Sequence, residues 1–176
     1  ADERRFTIAS APHEQQVRIT TRISHSEFKQ SLANLPPNTE INGFNIEGNF
    51  VWVASKRPKL FLAAGIGITP FRALIADRIH SKTPLDATLL YSSSQQPALF
   101  ANELSFWQKT DPTLKVHLLP NRITIADNAS LIPQWLKNLM YVSGPSRMVE
   151  EIAIALIAHG LPRKQLKTDM FTGYDS

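Results

Sequence analysis

After Pro58 the sequence alternates between short apolar segments and longer amphipathic ones, and few folds are compatible with this alternation. The first apolar segment, Leu60–Ala64, has no polar side chain, as expected of a strand covered on both faces. The segment Pro70–His80 follows it with apolar residues at helical spacing. Strands separated by helices of this length form right-handed βαβ units, which build a parallel sheet.

The same pattern predicts the remaining elements of an α/β domain over residues 58–176. The predicted strands are Leu60–Ala64, Ala87–Tyr91, Leu114–Leu118, Leu139–Ser143 and Leu166–Phe171. The predicted helices are Pro70–His80, Leu99–Lys109, Leu131–Lys137 and a last one that ends near His159, before Gly160-Leu161-Pro162. We therefore expect a five-stranded parallel sheet with helices on both faces and the strand order 3-2-1-4-5.

Residues 1–57 have a different pattern, with short segments in which apolar residues often alternate. Arg5–Ala9 and Val17–Arg22 predict strands, and Ile41–Val53 predicts a strand pair that turns at residues 47–49. Only His25–Leu35 has helical spacing. The sequence thus predicts a partial antiparallel β domain at 1–57 before the α/β domain.

The loop after the first predicted strand, Gly65-Ile66-Gly67-Ile68-Thr69-Pro70, indicates a phosphate-binding turn. Gly65 and Gly67 allow a tight turn and the close approach of a ligand. Thr69 suits the N-cap, and Pro70 suits the first helical turn, where its missing N–H costs nothing. Unpaired N–H groups and the helix dipole at such a terminus favour a pyrophosphate.

A second loop of small residues, Ser143-Gly144-Pro145, follows the fourth predicted strand. In the expected strand order the first and fourth strands flank the point where the topology changes direction, and ligands bind beyond their carboxyl ends. Both loops are therefore expected to line one nucleotide-binding cleft.

Four motifs together resemble those of the ferredoxin–NADP reductase superfamily, in its bacterial branch of flavoprotein reductases. That branch includes the reductase halves of flavohaemoglobins and of multicomponent oxygenases. The motifs, in chain order, are Arg4-x-Phe6-Thr7, Gly65-x-Gly67-x-Thr69-Pro70, Tyr141-Val142-Ser143-Gly144-Pro145 and Phe171-Thr172-Gly173-Tyr174.

The resemblance implies that residues 1–57 bind FAD as part of an antiparallel flavin-binding barrel. Arg4 would pair with the flavin pyrophosphate and Phe6 would stack on the isoalloxazine ring. The Thr7 hydroxyl would lie near flavin N5, and Ser26 would bind a flavin phosphate. Because the chain begins at the flavin motif, roughly the first half of that barrel is expected to come from a longer natural protein or a partner chain, and flavin binding is expected to be weak without it.

The resemblance also implies that residues 58–176 bind NAD(P)H. The loop containing Gly65, Gly67, Thr69 and Pro70 would hold the dinucleotide, and the loop from Ser143 to Pro145 would lie near its reactive ring. Phe171 or Tyr174 would cover the opposite flavin face. Ser143 stands where the family has cysteine, so we expect slower hydride transfer. Ser92 and Ser93, with no acidic residue beside them, slightly favour NADPH over NADH.

These expectations make the chain an NAD(P)H-dependent flavoprotein reductase that passes electrons to a separate acceptor, such as a ferredoxin, a flavodoxin, haem or iron. The chain has no cysteine for an iron–sulfur cluster, so the acceptor is expected to lie outside it. The alternative is a non-catalytic nucleotide-binding or assembly module that has lost stable flavin binding.

Charge and composition limit which metals, binding partners and cellular locations are expected for this chain. The five histidines lack metal-ligand spacing, so we expect no bound metal. The net charge of +4 is scattered in small groups, which is not the pattern of a nucleic-acid binder. It indicates either an ordinary solvated surface or a face that attracts an anionic cofactor or an acidic redox partner. No apolar run approaches the roughly 20 residues of a membrane span, and the N-terminus lacks an apolar signal segment, so we expect a cytoplasmic protein.

Overall fold

The computed structural model describes residues 4–23 and 26–171. Its centre is a sheet of five parallel strands in the predicted order β3-β2-β1-β4-β5. The strands are β1 (Lys59–Ala64), β2 (Ala87–Ser92), β3 (Leu114–Leu119), β4 (Leu139–Pro145) and β5 (Leu166–Phe171). The predicted α/β architecture is therefore confirmed.

Helices cover both faces of the sheet because apolar side chains of β1 point alternately to each side. The helices are α1 (Glu27–Ala33), α2 (Ile68–His80), α3 (Ala101–Thr110), α4 (Ile125–Leu131) and α5 (Ser146–Ala158), and 3₁₀ turns span Pro12–Glu14, Gly65–Gly67, Trp135–Lys137 and Arg163–Gln165. Phe61 and Ala63 pack against α2 and α3, whereas Leu60 and Leu62 pack against α5 and the region of α4.

The predicted helix Leu131–Lys137 is wrong in position. The α-helix of this region ends at Leu131, and Trp135–Lys137 forms only a 3₁₀ turn. Helix α4 begins earlier because Thr124 and Asp127 form a reciprocal capping box, in which the Asp127 amide donates to the Thr124 hydroxyl and the Thr124 amide donates to the Asp127 carboxylate.

The predicted strands of the N-terminal segment are also wrong. Arg5–Ala9 and Val17–Arg22 meet only in one antiparallel bridge between Ile8 and Ile19, and residues 41–53 contain no strand. An alternating pattern stabilises a strand only where one face is buried. Ile41, Phe44 and Ile46 remain mostly exposed, so no apolar surface of the described residues covers that face. The predicted helix His25–Leu35 is shorter, as α1, and His25 lies outside the described residues.

A buried arginine attaches this N-terminal segment to the α/β domain. The Arg72 side chain is only 3% exposed, and its guanidinium donates to the carboxylates of Glu14 and Glu103 and to the Ala9 carbonyl. The hydrogen bonds from Arg72 hold the pKa of Glu14 at about 2, although burial opposes this shift. Arg72 therefore joins helices α2 and α3 to the turn Pro12–Glu14.

A second attachment lies in β4. The buried Tyr141 hydroxyl accepts a hydrogen bond from the Val53 amide at 2.9 Å and donates one to the Val51 carbonyl at 3.1 Å. The Phe50 ring packs edge-on against the rings of Phe71 and Tyr141. Residues 50–53 are thus fixed to the sheet although their backbone is irregular.

Neither of the longest described helices could cross a membrane. Helices α2 and α5 contain 13 residues each, whereas a span needs about 20 apolar residues. Across residues 4–23 and 26–171, no group of three or more histidine, aspartate or glutamate side chains could hold a metal ion.

Candidate active site

The two loops that were predicted to line one cleft are in contact. A Cβ atom on Gly67 would lie 2.2 Å from the Ser143 carbonyl oxygen and 2.7 Å from Gly144 Cα. Only glycine leaves room for this approach, because both neighbours are backbone atoms. Gly67 therefore packs the β1 loop against the β4 loop at the carboxyl edge of the sheet.

Thr69 and Pro70 lie inside the loop rather than at its surface. Helix α2 begins at Ile68 with Gly67 as its N-cap, so the prediction of Thr69 as the N-cap is wrong. The Thr69 hydroxyl donates instead to the Ile66 carbonyl at 3.1 Å. Both residues are buried, and Pro70 lies in the first helical turn as predicted. In this structure both residues therefore support the shape of the turn from its buried side.

Gly65 has a different environment, because it faces a cation. Its φ of +53° is left-handed, and a Cβ on it would lie 3.0 Å from Arg22 Nη2. Arg22 is exposed and comes from the N-terminal segment, where the sequence predicted only the end of a strand. Its guanidinium therefore lies over the carboxyl end of β1, beside the predicted pyrophosphate loop.

Thr7 and Ser143, two predicted catalytic residues, converge on one carboxylate. Both hydroxyls donate to Asp169 Oδ2, from 3.3 Å for Thr7 and from 3.5 Å for Ser143. Ser143 is fully buried and Asp169 is partly buried. Burial raises the pKa of Asp169, and the two hydrogen bonds to the charged form only partly oppose this rise.

Asp169 was missed in the sequence. It lies directly opposite Ser143 in the register of β4 and β5. A lone aspartate in a short strand carries no signal by itself, but the pairing of the two strands brings its carboxylate next to Ser143. The hydrogen bonds among Thr7, Ser143 and Asp169 therefore join the N-terminal segment to strands β4 and β5.

Arg4 and Phe6 contact helix α1, whereas Thr7 contacts Asp169 in β5. The Arg4 guanidinium lies 5.5 Å from the centre of the Phe28 ring, and the Phe6 ring stacks on the same ring at 6.1 Å. Phe28 belongs to α1, for which Ser26 is the N-cap. A cation, two aromatic rings and a helix start therefore lie together.

The C-terminal aromatic residues are only partly described. Phe171 ends β5 beside Pro145, and its carbonyl accepts a hydrogen bond from the Ser146 hydroxyl at 3.2 Å. Tyr174 lies outside the described residues.

The two serines at the end of β2 already donate hydrogen bonds to nearby backbone. The Ser92 hydroxyl donates to the Asn121 carbonyl at 2.7 Å, and the Ser93 hydroxyl donates to the Gln95 carbonyl at 3.3 Å. A serine has one hydroxyl proton, so neither could also donate to a phosphate without losing these bonds. The bond from Ser92 does place Arg122, the residue after Asn121, at the same edge. The sequence analysis looked for a phosphate-binding cation only next to β2 and missed Arg122, because Arg122 follows β3 in the chain.

Comparisons with known proteins agree with this architecture. No protein-family model matches the chain. It is 30% identical over 129 residues to one of the subunits of 1,2-phenylacetyl-CoA epoxidase from Escherichia coli K12, a match that covers 64% of this chain and 36% of that protein. It is 23% identical over 185 residues to flavohemoprotein A from Dictyostelium discoideum, covering 96% of this chain and 46% of that protein. The chain thus spans less than half the length of these curated relatives.

Solved structures resemble it over more of their length. The flavohaemoglobin-like FAD/NAD-binding domain of nitric oxide dioxygenase from Vibrio cholerae superposes with a TM-score of 0.78 at 19% identity, covering 96% of this chain and 76% of that one. Ferredoxin–NADP⁺ reductase from Plasmodium falciparum superposes with a TM-score of 0.69 at 14% identity, with the same coverage of 96% and 76%. The chain therefore has the same fold as these FAD/NAD-binding and ferredoxin–NADP⁺ reductase structures.

Proposed function

We propose that this chain is the NAD(P)H-oxidising part of a flavin-dependent oxidoreductase, which takes hydride from NAD(P)H to FAD and passes electrons to a separate acceptor. The observation that carries the proposal is the convergence of Thr7 and Ser143 on Asp169, where the β1 and β4 loops meet. Structural neighbours include a Malassezia yamatoensis flavohaemoglobin with bound FAD and haem and the CS-b5R domains of human Ncb5or in their NAD⁺ form.

The residues around Gly65 have the chemistry that a dinucleotide pyrophosphate requires. The left-handed turn at Gly65 leaves its backbone accessible, and the Arg22 guanidinium lies beside it. A guanidinium can bind two phosphate oxygens at once, which a lysine cannot. We therefore assign the pyrophosphate of NAD(P)H to Gly65 and Arg22, with the nicotinamide extending towards Ser143.

The N-terminal segment has the donor set that FAD requires. Arg4 supplies a cation, Phe6 an aromatic ring and Thr7 a hydroxyl. When bound, the flavin and the nicotinamide supply the hydride chemistry themselves. The chain would bind and orient them, with Asp169 fixing the positions of the Thr7 and Ser143 hydroxyls.

The acceptor is proposed to be a group held outside this chain. The chain has no cysteine to ligate an iron–sulfur cluster. Its net charge of +4 would attract an acidic redox protein at low ionic strength. Haem, a ferredoxin, a flavodoxin or iron would each accept electrons from a reduced flavin.

One observation favours a second candidate, a nucleotide-binding module without stable flavin. In its described part, residues 4–23 and 26–57, the N-terminal segment has a single strand bridge and an exposed apolar face. Few contacts would therefore hold its part of a flavin site in place. Flavin content after incubation with FAD and gel filtration, followed by NADPH-dependent ferricyanide reduction, separates the two functions.

Asp169→Asn is expected to slow NADPH-dependent ferricyanide reduction by the FAD-loaded protein about 10- to 100-fold, because a charged acceptor for the Thr7 and Ser143 hydroxyls is lost. The variant should be at least as stable as the parent at pH 8, since burial raises the Asp169 pKa and so disfavours its charged form in the folded state. Asp77→Asn, the same change on the exposed side of α2, is the control. Equal rates for all three proteins would exclude Asp169 from the active site.

Two arginine variants test how the dinucleotide lies in the cleft. Arg22→Gln is expected to raise KM about tenfold for both NADH and NADPH, because both contain the pyrophosphate. Arg122→Gln is expected to raise KM by a similar factor for NADPH alone, because only NADPH carries the 2′-phosphate that we assign to this side chain. Each variant serves as the control for the other. An Arg22 variant selective for one coenzyme would contradict this placement.

A further inference from the structure

A group of positive charges lies at the amino edge of the sheet, where strands β1, β4 and β5 begin. The β1 and β4 loops of the candidate site lie at the opposite edge, because all the strands are parallel. Strands β1 and β5 have six residues each, so the two edges are roughly 15–20 Å apart. The group, called the amino-edge patch, consists of the exposed residues Lys56, Arg57, Lys137, Arg163 and Lys164.

Hydrogen bonds hold the three segments of the amino-edge patch together. The Arg57 guanidinium donates to the Lys137 carbonyl at 3.1 Å. The Gln165 side-chain amide, at the end of the turn that carries the last two cations, donates to the carbonyls of Leu136 and Asn138 at 2.9 Å and 3.1 Å. The patch is therefore one continuous surface rather than three separate loops.

The positive charge of the amino-edge patch is not compensated by neighbouring carboxylates. Within the part of the chain that the structure describes, none of its five cations forms an ion pair, whereas Arg72 and Arg147 do. The segments that form the patch, 54–58, 133–138 and 161–165, contain no aspartate or glutamate. Uncompensated positive charge attracts anions and speeds their association.

Helix dipoles do not account for these cations. A cation stabilises the last turn of an α-helix, where carbonyl groups lack partners, and Arg78 and His80 occupy such positions in α2. The cations of the amino-edge patch lie instead in a bend and in two 3₁₀ turns, outside every α-helix of the described residues. The fold itself therefore gives no reason for this concentration of charge.

The amino-edge patch also includes an apolar side chain on a restricted backbone. Leu136, which directly precedes Lys137, is 39% exposed. Pro58, Pro133 and Pro162 restrict the backbone in each of the three segments, so little conformational entropy would be lost on binding. An apolar contact with a charged rim is the usual composition of a protein–protein interface.

We propose that the amino-edge patch is a docking surface for an acidic segment of a partner protein, with an apolar side chain of that segment against Leu136. A membrane surface would require several apolar side chains that insert, and single-stranded nucleic acid is usually bound by exposed aromatic rings. The patch segments expose only Leu136 among their large apolar residues and bury Trp135. The contact is independent of the proposed function, because it leaves the opposite edge of the sheet open.

The test compares two variants of equal net charge. Lys56→Glu with Lys137→Glu reverses two charges of the patch, and Lys109→Glu with Lys115→Glu reverses two exposed charges at the β3 side of the sheet. The probe is a synthetic peptide of glutamates with one central leucine, titrated by fluorescence anisotropy at about 50 mM salt. The patch variant should bind at least about tenfold more weakly than the parent, and the control within about threefold. Equal binding by the two variants would overturn the inference.

A second variant tests the apolar part of the amino-edge patch without changing its charge. Leu136→Ser should bind the leucine-containing peptide about fivefold more weakly and an all-glutamate peptide as the parent does. Unchanged binding of both peptides would contradict the apolar contact. Vesicles of phosphatidylserine and duplex DNA test the other anions. If either bound more tightly than the peptide, and the patch variant lost that binding, a protein partner would be excluded.

Discussion

A Gly67→Ala variant is expected to lose about 3 kcal/mol of unfolding free energy, because its new methyl group would overlap backbone atoms of β4. The added Cβ would lie 2.2 Å from the Ser143 carbonyl oxygen and 2.5 Å from the Ser143 carbonyl carbon. Side chains can rotate away from such an overlap, but these atoms belong to a strand paired on both sides. Urea unfolding measures the loss, and any folded fraction should bind NADPH poorly because the two loops have separated.

Gly43→Ala provides the matched control. A Cβ at Gly43 would meet nothing within 4 Å, and the residue lies in the exposed N-terminal segment. The substitution should therefore change the unfolding free energy by less than about 0.5 kcal/mol. If Gly67→Ala proved as harmless as Gly43→Ala, the contact between the β1 and β4 loops would be wrong.

Arg72→Met is expected to lower the unfolding free energy by about 3 kcal/mol at pH 7, because it leaves the partly buried carboxylates of Glu14 and Glu103 without their shared cation. Arg147→Met is the control. Its pair with Glu151 is exposed, with 80% of the arginine side chain accessible, so this variant should lose about 0.5 kcal/mol or less.

The Arg72 network also predicts a pH dependence. Because the Glu14 pKa is lowered from 4.5 to about 2, its ionised form stabilises the fold fully above pH 4.5, and this contribution disappears as the pH falls through 2. The stability difference between the parent and Arg72→Met should therefore shrink between pH 5 and pH 2. Urea unfolding at several pH values measures this difference in unfolding free energy. A difference that did not change with pH would show that the ionised Glu14 carboxylate does not account for the stabilisation by Arg72.

The α/β half of the fold was predictable because its signals are local. The strand Leu60–Ala64 is apolar throughout, and Gly67 lies where a strand turns directly into a helix. The secondary structure of such segments can be predicted without knowing which distant residues they contact. The placement of α4 failed because the Thr124 and Asp127 capping box begins the helix earlier than the apolar spacing indicated.

The residues that the sequence analysis missed, and the structure of the N-terminal segment, depend on contacts between distant parts of the chain. Asp169 lies beside Ser143 because of the register of β4 with β5, and Arg22 lies beside Gly65 because of the path of the N-terminal segment. A single sequence specifies neither. The alternation in residues 41–53 suggested strands, yet period-2 spacing alone does not supply the covering surface that a strand needs. The motif resemblance therefore predicted roles for Thr7 and Ser143 but could not show the carboxylate between them.

The attachment of Val51 and Val53 to Tyr141 has a consequence for how chain length can vary. Pro58 is bonded in turn to β4, since the Leu139 amide donates to its carbonyl at 2.9 Å. Only residues 54–57 lie between these two fixed points, so an insertion or deletion there would break one of them. Residues 37–48 are exposed and have no such constraint. We expect homologous chains to differ in length at 37–48 and to keep the spacing from Val53 to Pro58, irregular though that connection is.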